Sequence, residues 1–253
     1  MTGQPEAESR PRKAGRYILR GVGIAAVSIF ALFAYIYLTL PDVRPLIATN
    51  PTTTAFIDLR AREARAKGQE PRRVHRWVSY RDISPDLKRA VLVAEDDAFW
   101  QHDGVDYEQL QESLEADWAR GRFLRGGSTI TQQLAKNLYL SPWRNPLRKL
   151  RELIIARRLE AELKKSRILE LYLNMIEWGD GMYGAEAAAR TYFHTSAGAL
   201  GPSESALLAA AIVNPRVLNP ARPSARLLRR QQLILRRMGV VMPPEESAVE
   251  QPR

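Results

Sequence analysis

The chain has 253 residues, 45% of them hydrophobic, and its 38 Lys+Arg against 28 Asp+Glu give a formal net charge of +10. This length accommodates one ordinary domain with a small appendage and excludes two large catalytic domains. The charge asks for an anionic partner, such as nucleic acid, an acidic lipid surface or a phosphorylated substrate; the absence of cysteine excludes disulfides and thiolate metal sites and leaves the redox compartment open.

Residues 1–20 form a basic tail in which Arg10, Arg12, Lys13, Arg16 and Arg20 stand against Glu6 and Glu8. Residues 21–40, GVGIAAVSIFALFAYIYLTL, carry no charge. At about 1.5 Å per residue the segment has the length of a transmembrane helix. Tyr35 and Tyr37 sit near one end, as interfacial aromatics do, and Pro41 closes it. A cleavable signal peptide competes with this reading, but its apolar stretch runs about 7 to 15 residues and ends in a small-x-small site. This segment is longer and ends in Leu-Thr-Leu-Pro, so an uncleaved anchor fits better. The positive-inside rule then keeps the tail cytoplasmic and sets everything after Pro41 outside the cytoplasm, which argues against a nucleic-acid role.

Residues 41–83, with prolines at 41, 45, 51 and 71 and the basic helical stretch DLRAREARAKG, read as a connector and the first elements of a domain spanning 84–240. From Ser84 onward the period is helical, alternating strands are scarce and no internal repeat occurs. One helix starts at Ser84-Pro85, a cap followed by proline, with Leu87, Ala90, Val91 and Ala94 on one face. A second starts in GGSTITQQLAKN, with Gly126-Gly127 leading in and Ser128 or Thr129 as cap. A third starts at Asn145-Pro146 and runs through LRKLRELIIARRLEAELKK; a fourth is SRILELYLNM; SESALLAAAIVNP is an apolar helix ended by Pro215. Residues 241–253 form a polar tail with the composition of disorder.

Three carboxylates, Glu95, Asp96 and Asp97, close the first apolar helix. Leu87, Val91 and Glu95 are spaced i, i+4, i+8, so Glu95 shares the side of the core residues. Partial desolvation there raises a carboxylate pKa toward the range useful for proton transfer, and pairing with a buried arginine explains the same placement equally well. GGSTITQQLAKN sets backbone N–H groups and hydroxyls at a helix N-terminus, suited to phosphate or pyrophosphate, with Gln132 and Lys136 one turn apart. An ordinary capped helix is the bland alternative, and the stretch is not a Walker loop. Arg148 and Lys149 lie four and three residues before Glu152, so both reach its carboxylate and both can bind an anion, although a solvated salt bridge has the same spacing. His102 is one of three histidines with no His-x-x-x-His pair, which disfavours zinc and favours a hydrogen bond that fixes a loop. No Ser-x-x-Lys, Lys-Thr-Gly or Gly-x-Ser-x-Gly occurs, so acyl transfer of those types lacks its parts.

These residues, in order, resemble the peptidoglycan glycosyltransferases, which polymerise lipid-linked disaccharide into cell-wall glycan. Glu95, Asp96, Phe99, His102 and Gly104 match the family's Glu-Asp-x-x-Phe-x-x-His-x-Gly motif; GGSTITQQLAKN matches the second; Arg148, Lys149 and Glu152 match Arg-Lys-x-x-Glu; and KSRILELYLN matches the fourth. GDGMYGAEAAARTYF and SESALLAAAIVNP look like its downstream segments, so the resemblance spans roughly Asp82 to Met238. It is closest to the monofunctional form, without a transpeptidase domain. One departure is Tyr192-Phe193-His194-Thr195, where relatives often read Tyr-Phe-x-Lys, which puts a basic contact there in doubt.

The resemblance implies a mainly α, lysozyme-like domain, with a head and a smaller membrane-facing jaw, behind one N-terminal transmembrane helix. Trp118, Phe123 and Leu124 fit that jaw. It also implies that Glu95 is the general base for inverting transfer between lipid-pyrophosphate-linked glycan and lipid-linked disaccharide (lipid II). Lys136, Arg148 and Lys149 would meet the pyrophosphate, and Glu152 would orient them or assist its departure. Ser128, Thr129, Gln132, Gln133 and Asn137 would position pyrophosphate and sugar, with Asp96, Phe99 and His102 also at the substrate site. No cofactor is expected to bind tightly; a divalent cation, Mg or Mn, could accompany the pyrophosphate, without a dedicated all-protein site. The expected partners are lipid II, the growing glycan, the membrane and other cell-wall synthesis proteins, not nucleic acid. The expected location is the inner (cytoplasmic) membrane. A glycan-cleaving enzyme of similar fold and a catalytically silent scaffold are the rivals.

Overall fold

The computed structural model describes residues 11–108, 111, 127–140 and 146–239. The expected jaw residues Trp118, Phe123 and Leu124, the residues Gly126 and Asn145, and the polar tail lie outside the described residues. The chain divides into two compact units, Met1–Pro41 and Asp42–Arg253.

The first unit is one helix, α1 (Pro11–Leu38), whose apolar stretch is Leu19–Leu38. It starts before the expected Gly21 and stops before Leu40, because the residue ahead of a proline is disfavoured in the helical region and Pro41 follows. Ile24, Val27, Phe30 and Phe33 are exposed to solvent. The twenty residues Leu19–Leu38, at about 1.5 Å each, are long and apolar enough to cross a membrane, which is compatible with membrane anchoring.

The second unit is mainly helical. α2 (Ala55–Ala66) is capped by Thr54, whose hydroxyl accepts from Ile57 N at 3.1 Å. α3 (Pro85–Glu95) starts as the sequence implied, with Ser84 Oγ accepting from Asp86 N and proline in the first turn. It buries Leu87, Ala90, Val91, Leu92 and Val93. α4 (Ile130–Tyr139) takes Thr129, not Ser128, as its cap, with the hydroxyl accepting from Gln132 N. α5 (Pro146–Glu162) turns Glu152, Ile155, Ala156 and Leu159 inward, one stripe at helical spacing that begins with a carboxylate.

Two helix ends in this unit also differ from expectation. α5 does not run through Lys165; it ends at Glu162, and α6 (Lys165–Met175) starts after an extended Lys164. In one continuous helix, positions five apart face away from each other. The break lets Lys165 Nζ reach Glu160 Oε1 at 2.8 Å. Likewise the helix expected to end at Pro215 ends at Ala211, and short turns carry the chain onward.

Three short strands follow the order β1-β3-β2: β1 (Val74–His75), β2 (Glu177–Gly179) and β3 (Met182–Tyr183). β1 pairs with β3 in parallel, Val74 opposite Met182, and β2 with β3 antiparallel through a bulge. Gly181 turns this hairpin at φ +64°, and a Cβ there would meet Arg72 O at 2.5 Å. α7 (Ala185–Phe193) and α8 (Pro202–Ala211) follow, and α8 buries Ala206, Ala209, Ala210 and Ala211, small enough to let neighbours close in. The last helix, α9 (Ala225–Met238), comes in addition to the helices expected from the sequence, and Leu227, Gln231, Ile234 and Met238 mark its inner face at helical spacing. α3, α8 and α9 pack together, as do α4, α5 and α6, with α2 against α4. The end of α3 meets the start of α4 between these two groups.

Candidate active site

Glu95 is the last residue of α3, on the face of the fully buried Leu87 and Val91. Its side chain keeps 13% of its exposure, enough for a ligand to reach. Gln133 Nε2 donates to Glu95 Oε2 at 2.9 Å, and the guanidinium of Arg230, on α9, stands 3.9 Å from Oε1. Burial raises the carboxyl pKa, and the Gln133 hydrogen bond, then Arg230 and Lys136, pull it back. The sequence left buried-arginine pairing open as an account of Glu95. Arg230 is a long contact, with 37% of its side chain exposed, and desolvation outweighs it.

Asp96 leaves the helix and ties the following loop to α4. Its Oδ2 accepts from Ile130 N at 2.9 Å, the helix-start position where a carboxylate is favoured. His102 Nδ1 accepts from Gly104 N at 3.1 Å, so Nε2 carries the proton and donates to Asp96 Oδ1 at 2.9 Å. Thr129 Oγ1 and Gln132 Nε2 both donate to Gly104 O, at 2.7 and 3.2 Å. Gly104 has φ +84°, and a Cβ there would meet Glu160 Cγ at 3.0 Å, so the loop can lie this close to α5 only as glycine. The motif around His102 therefore closes on the α4 N-terminus through satisfied, buried hydrogen bonds.

The third group sits on α5. Glu152 is buried, and it accepts from Arg148 Nη1 at 2.7 Å and from Lys149 Nζ at 2.6 Å. Lys149 Nζ also donates to Gln132 Oε1 at 2.9 Å and Ser128 Oγ at 3.2 Å, which joins α5 to the start of α4. Lys136, on α4, is half-buried with its ammonium 5.9 Å from the Phe56 ring centre. Burial lowers its pKa first; Glu152 and Glu95 raise it, and Arg148 and Lys149 lower it. Lys136 thus lies within electrostatic reach of both carboxylates.

Not every candidate faces outward. Phe99 is fully buried, edge-on to Trp100 at 5.1 Å and with Lys165 Nζ 4.3 Å from its ring centre, so it belongs to the core beneath the loop. Asp96, Thr129 and Gln132 are nearly as buried, and Asn137 Nδ2 donates to Gln133 O within α4 at 2.8 Å. Ser128 is exposed, and Glu95, His102, Gln133, Lys136, Asn137, Arg148 and Lys149 are partly exposed. His194 closes α7 in the left-handed conformation, with an exposed ring.

Tyr172, Arg230 and the half-buried Lys165–Glu160 pair carry no local signal that marks them as site residues. Tyr172 Oη donates to Gln133 Oε1 at 3.0 Å, and Thr131 Oγ1 joins Glu160 at 2.5 Å. Among the described residues Asp96, His102 and Asp106 also offer ligand atoms within 4.8 Å of one another. Both Asp96 oxygens and both His102 nitrogens are already engaged in the loop's hydrogen bonds, so the cluster as arranged fits a tether better than a metal centre.

A mainly helical domain that holds a desolvated carboxylate, a half-buried lysine and an Arg-Lys-Glu cluster has the parts for proton transfer close to an anionic group. The comparisons specify the class further. The family model described as Transglycosylase matches residues 62–239. A biosynthetic peptidoglycan transglycosylase of Aromatoleum aromaticum is 48% identical over 201 residues, 78% of this chain and 86% of the relative. Proteins of the same description from Laribacter hongkongensis and Dechloromonas aromatica are 47% and 48% identical, over 77% and 75% of this chain and 86% and 82% of the relatives. The chain belongs to the transglycosylase family, whose domain is lysozyme-like.

Proposed function

We propose that this protein is a peptidoglycan glycosyltransferase that extends glycan strands from lipid II. The observation that carries the proposal is the desolvated Glu95 at the end of α3, met at 2.9 Å by Gln133 of α4, the helix that also carries Lys136. In the proposed reaction Glu95 takes the proton from the 4-hydroxyl of the acceptor disaccharide as that oxygen attacks the anomeric carbon of the growing chain. The new C–O bond forms as the bond to pyrophosphate breaks, and the lipid pyrophosphate leaves with the electron pair. Attack opposite the leaving group inverts α to β.

Lys136, Lys149 and Arg148 neutralise the pyrophosphate, Ser128 and Gln133 position its oxygens and the sugar, and Glu152 holds Arg148 and Lys149 in place. Asp96, His102, Thr129 and Gln132 act one step back, by fixing the loop and the α4 N-terminus that carry these groups. A divalent cation, Mg or Mn, can enter with the pyrophosphate, held by substrate oxygens; no step in this scheme runs through it. α1 anchors the chain in the inner membrane with the basic tail cytoplasmic and the domain outside, where lipid II, nascent glycan and other cell-wall synthesis proteins are met.

The test is the purified full chain in detergent, offered lipid II and finished glycan separately. Polymer from lipid II, lost by about 10²- to 10⁴-fold in Glu95→Gln while lipid binding persists, is the expected result. Cleavage of finished glycan without use of lipid II would replace synthesis by the lytic reading. Wild-type polymerisation by Glu95→Gln would remove the base assignment.

A further inference from the structure

We infer that Tyr172 is a positioning residue for the proposed base, acting through Gln133 to fix how the Gln133 amide faces Glu95. The inference rests on the assignment of Glu95 made above. Tyr172 is fully buried on α6, and its hydroxyl meets Gln133 Oε1 at 3.0 Å. Gln133 Nε2 meets Glu95 Oε2 at 2.9 Å.

A side-chain amide can turn over, exchanging oxygen and nitrogen, unless its partners forbid it. Glu95 as a carboxylate only accepts, and a phenol that stays protonated donates. Burial and the charges of Glu95 and Asp96 push the Tyr172 phenol well above its ordinary pKa, so it remains a donor. With a donor on one side and an acceptor on the other, the amide has one satisfactory orientation. Without the phenol hydroxyl the amide nitrogen still faces Glu95 and the Ser128 carbonyl, 3.4 Å away, but its oxygen loses the anchor that fixes its place, and the hydrogen bond to the carboxylate loosens.

The groups that bear on Glu95 are Gln133 and Lys136 from α4, Arg230 from α9, Asp96 at the end of its own helix and Tyr172 from α6. Loss of the Gln133 bond leaves burial less opposed, so the base titrates at higher pH. Tyr172 touches neither substrate nor the reacting atoms. Its effect travels through Gln133 alone.

The test is the pH profile of kcat/KM for the full chain on lipid II, with Tyr172→Phe, Gln133→Met and the double variant. Tyr172→Phe is expected to raise the acidic limb by up to about one pH unit, the effect of one whole hydrogen bond to a carboxylate. Well below the limb, rates then fall by up to about tenfold, as one unit of pKa requires. Gln133→Met moves the limb the same way, and adding Tyr172→Phe to it moves the limb no further. A folded Tyr172→Phe enzyme whose limb stays put overturns the inference, as does a double variant whose displacements add. If Tyr172→Phe does not fold, Gln133→Met decides: an unmoved limb overturns, a raised one supports. Glu95→Gln, measured alongside, separates the two claims. Wild-type rates there bring down the base assignment itself, whereas an inactive Glu95→Gln with an unmoved Tyr172→Phe limb brings down only this relay.

Discussion

Glu152→Gln is the sharpest test of the cationic cluster. Glu152 is buried and holds two cations at once, Arg148 at 2.7 Å and Lys149 at 2.6 Å. Removing one partner of a buried pair costs about 3–5 kcal/mol when the other charge stays buried. That figure is an upper bound here, since the Lys149 side chain is 42% exposed and water takes over part of its contact. Glutamine also keeps one accepting oxygen, which leaves about 2 kcal/mol net. For a domain of this size that lowers the unfolding midpoint by about 4–8 °C. A second readout comes from Lys136, whose pKa burial lowers and the Glu152 charge supports. Without that charge Lys136 loses its proton at lower pH, so the basic limb of kcat/KM on lipid II moves down. Circular dichroism melts of the full chain in detergent and the pH profile are the assays. A midpoint within about 1 °C of wild type, with an unmoved basic limb, would refute both the buried network and its coupling to Lys136.

Other outcomes follow from single contacts. Glu95 has a folded pKa raised above its unfolded value, so the native state binds more protons between the two and stability falls as pH rises through that window. Glu95→Gln therefore melts higher than wild type at neutral pH, and the gap closes below the ordinary glutamate range; melts at two pH values check this. Asp96→Asn weakens the tether to Ile130 N and His102 Nε2, and unfolding should lose about 2 kcal/mol by denaturant titration. Arg237→Ala removes an ion pair with Asp97 whose side chains are 49% and 39% exposed, so its effect stays below about 1 kcal/mol in the same titration.

Features fixed by neighbours in the chain were readable in the sequence. Ser84 followed by Pro85 starts α3, and the spacing from Leu87 to Glu95 puts that carboxylate at the edge of the core. Arg148, Lys149 and Glu152 meet because three and four residues make one helical turn. Contacts made across the fold were not. Arg230 follows Glu95 by more than a hundred positions, and nothing local marks α9 as its neighbour. Tyr172 lies within the KSRILELYLN stretch with nothing local to set it apart, and its hydroxyl gains meaning only where α6 meets α4. The break after Glu162 was hidden because the helical pattern continues through it; the ion pair that rewards the break is a tertiary contact. Phe99 shows the limit of a motif: membership marks the residue, and only the fold shows that its side chain is buried in the core.

Lys149 leaves a last consequence. Its ammonium is already ringed by oxygens from Glu152, Gln132 and Ser128. These are the kind of partners a pyrophosphate would supply. Arrival of substrate in the proposed reaction is then an exchange of oxygen partners and not the capture of an idle charge. The same exchange run backwards helps the product leave: as the lipid pyrophosphate withdraws, the protein's own oxygens resume their places. A site that keeps an internal stand-in for its ligand binds more weakly than its charge suggests, and in the proposed reaction that restraint favours release of product.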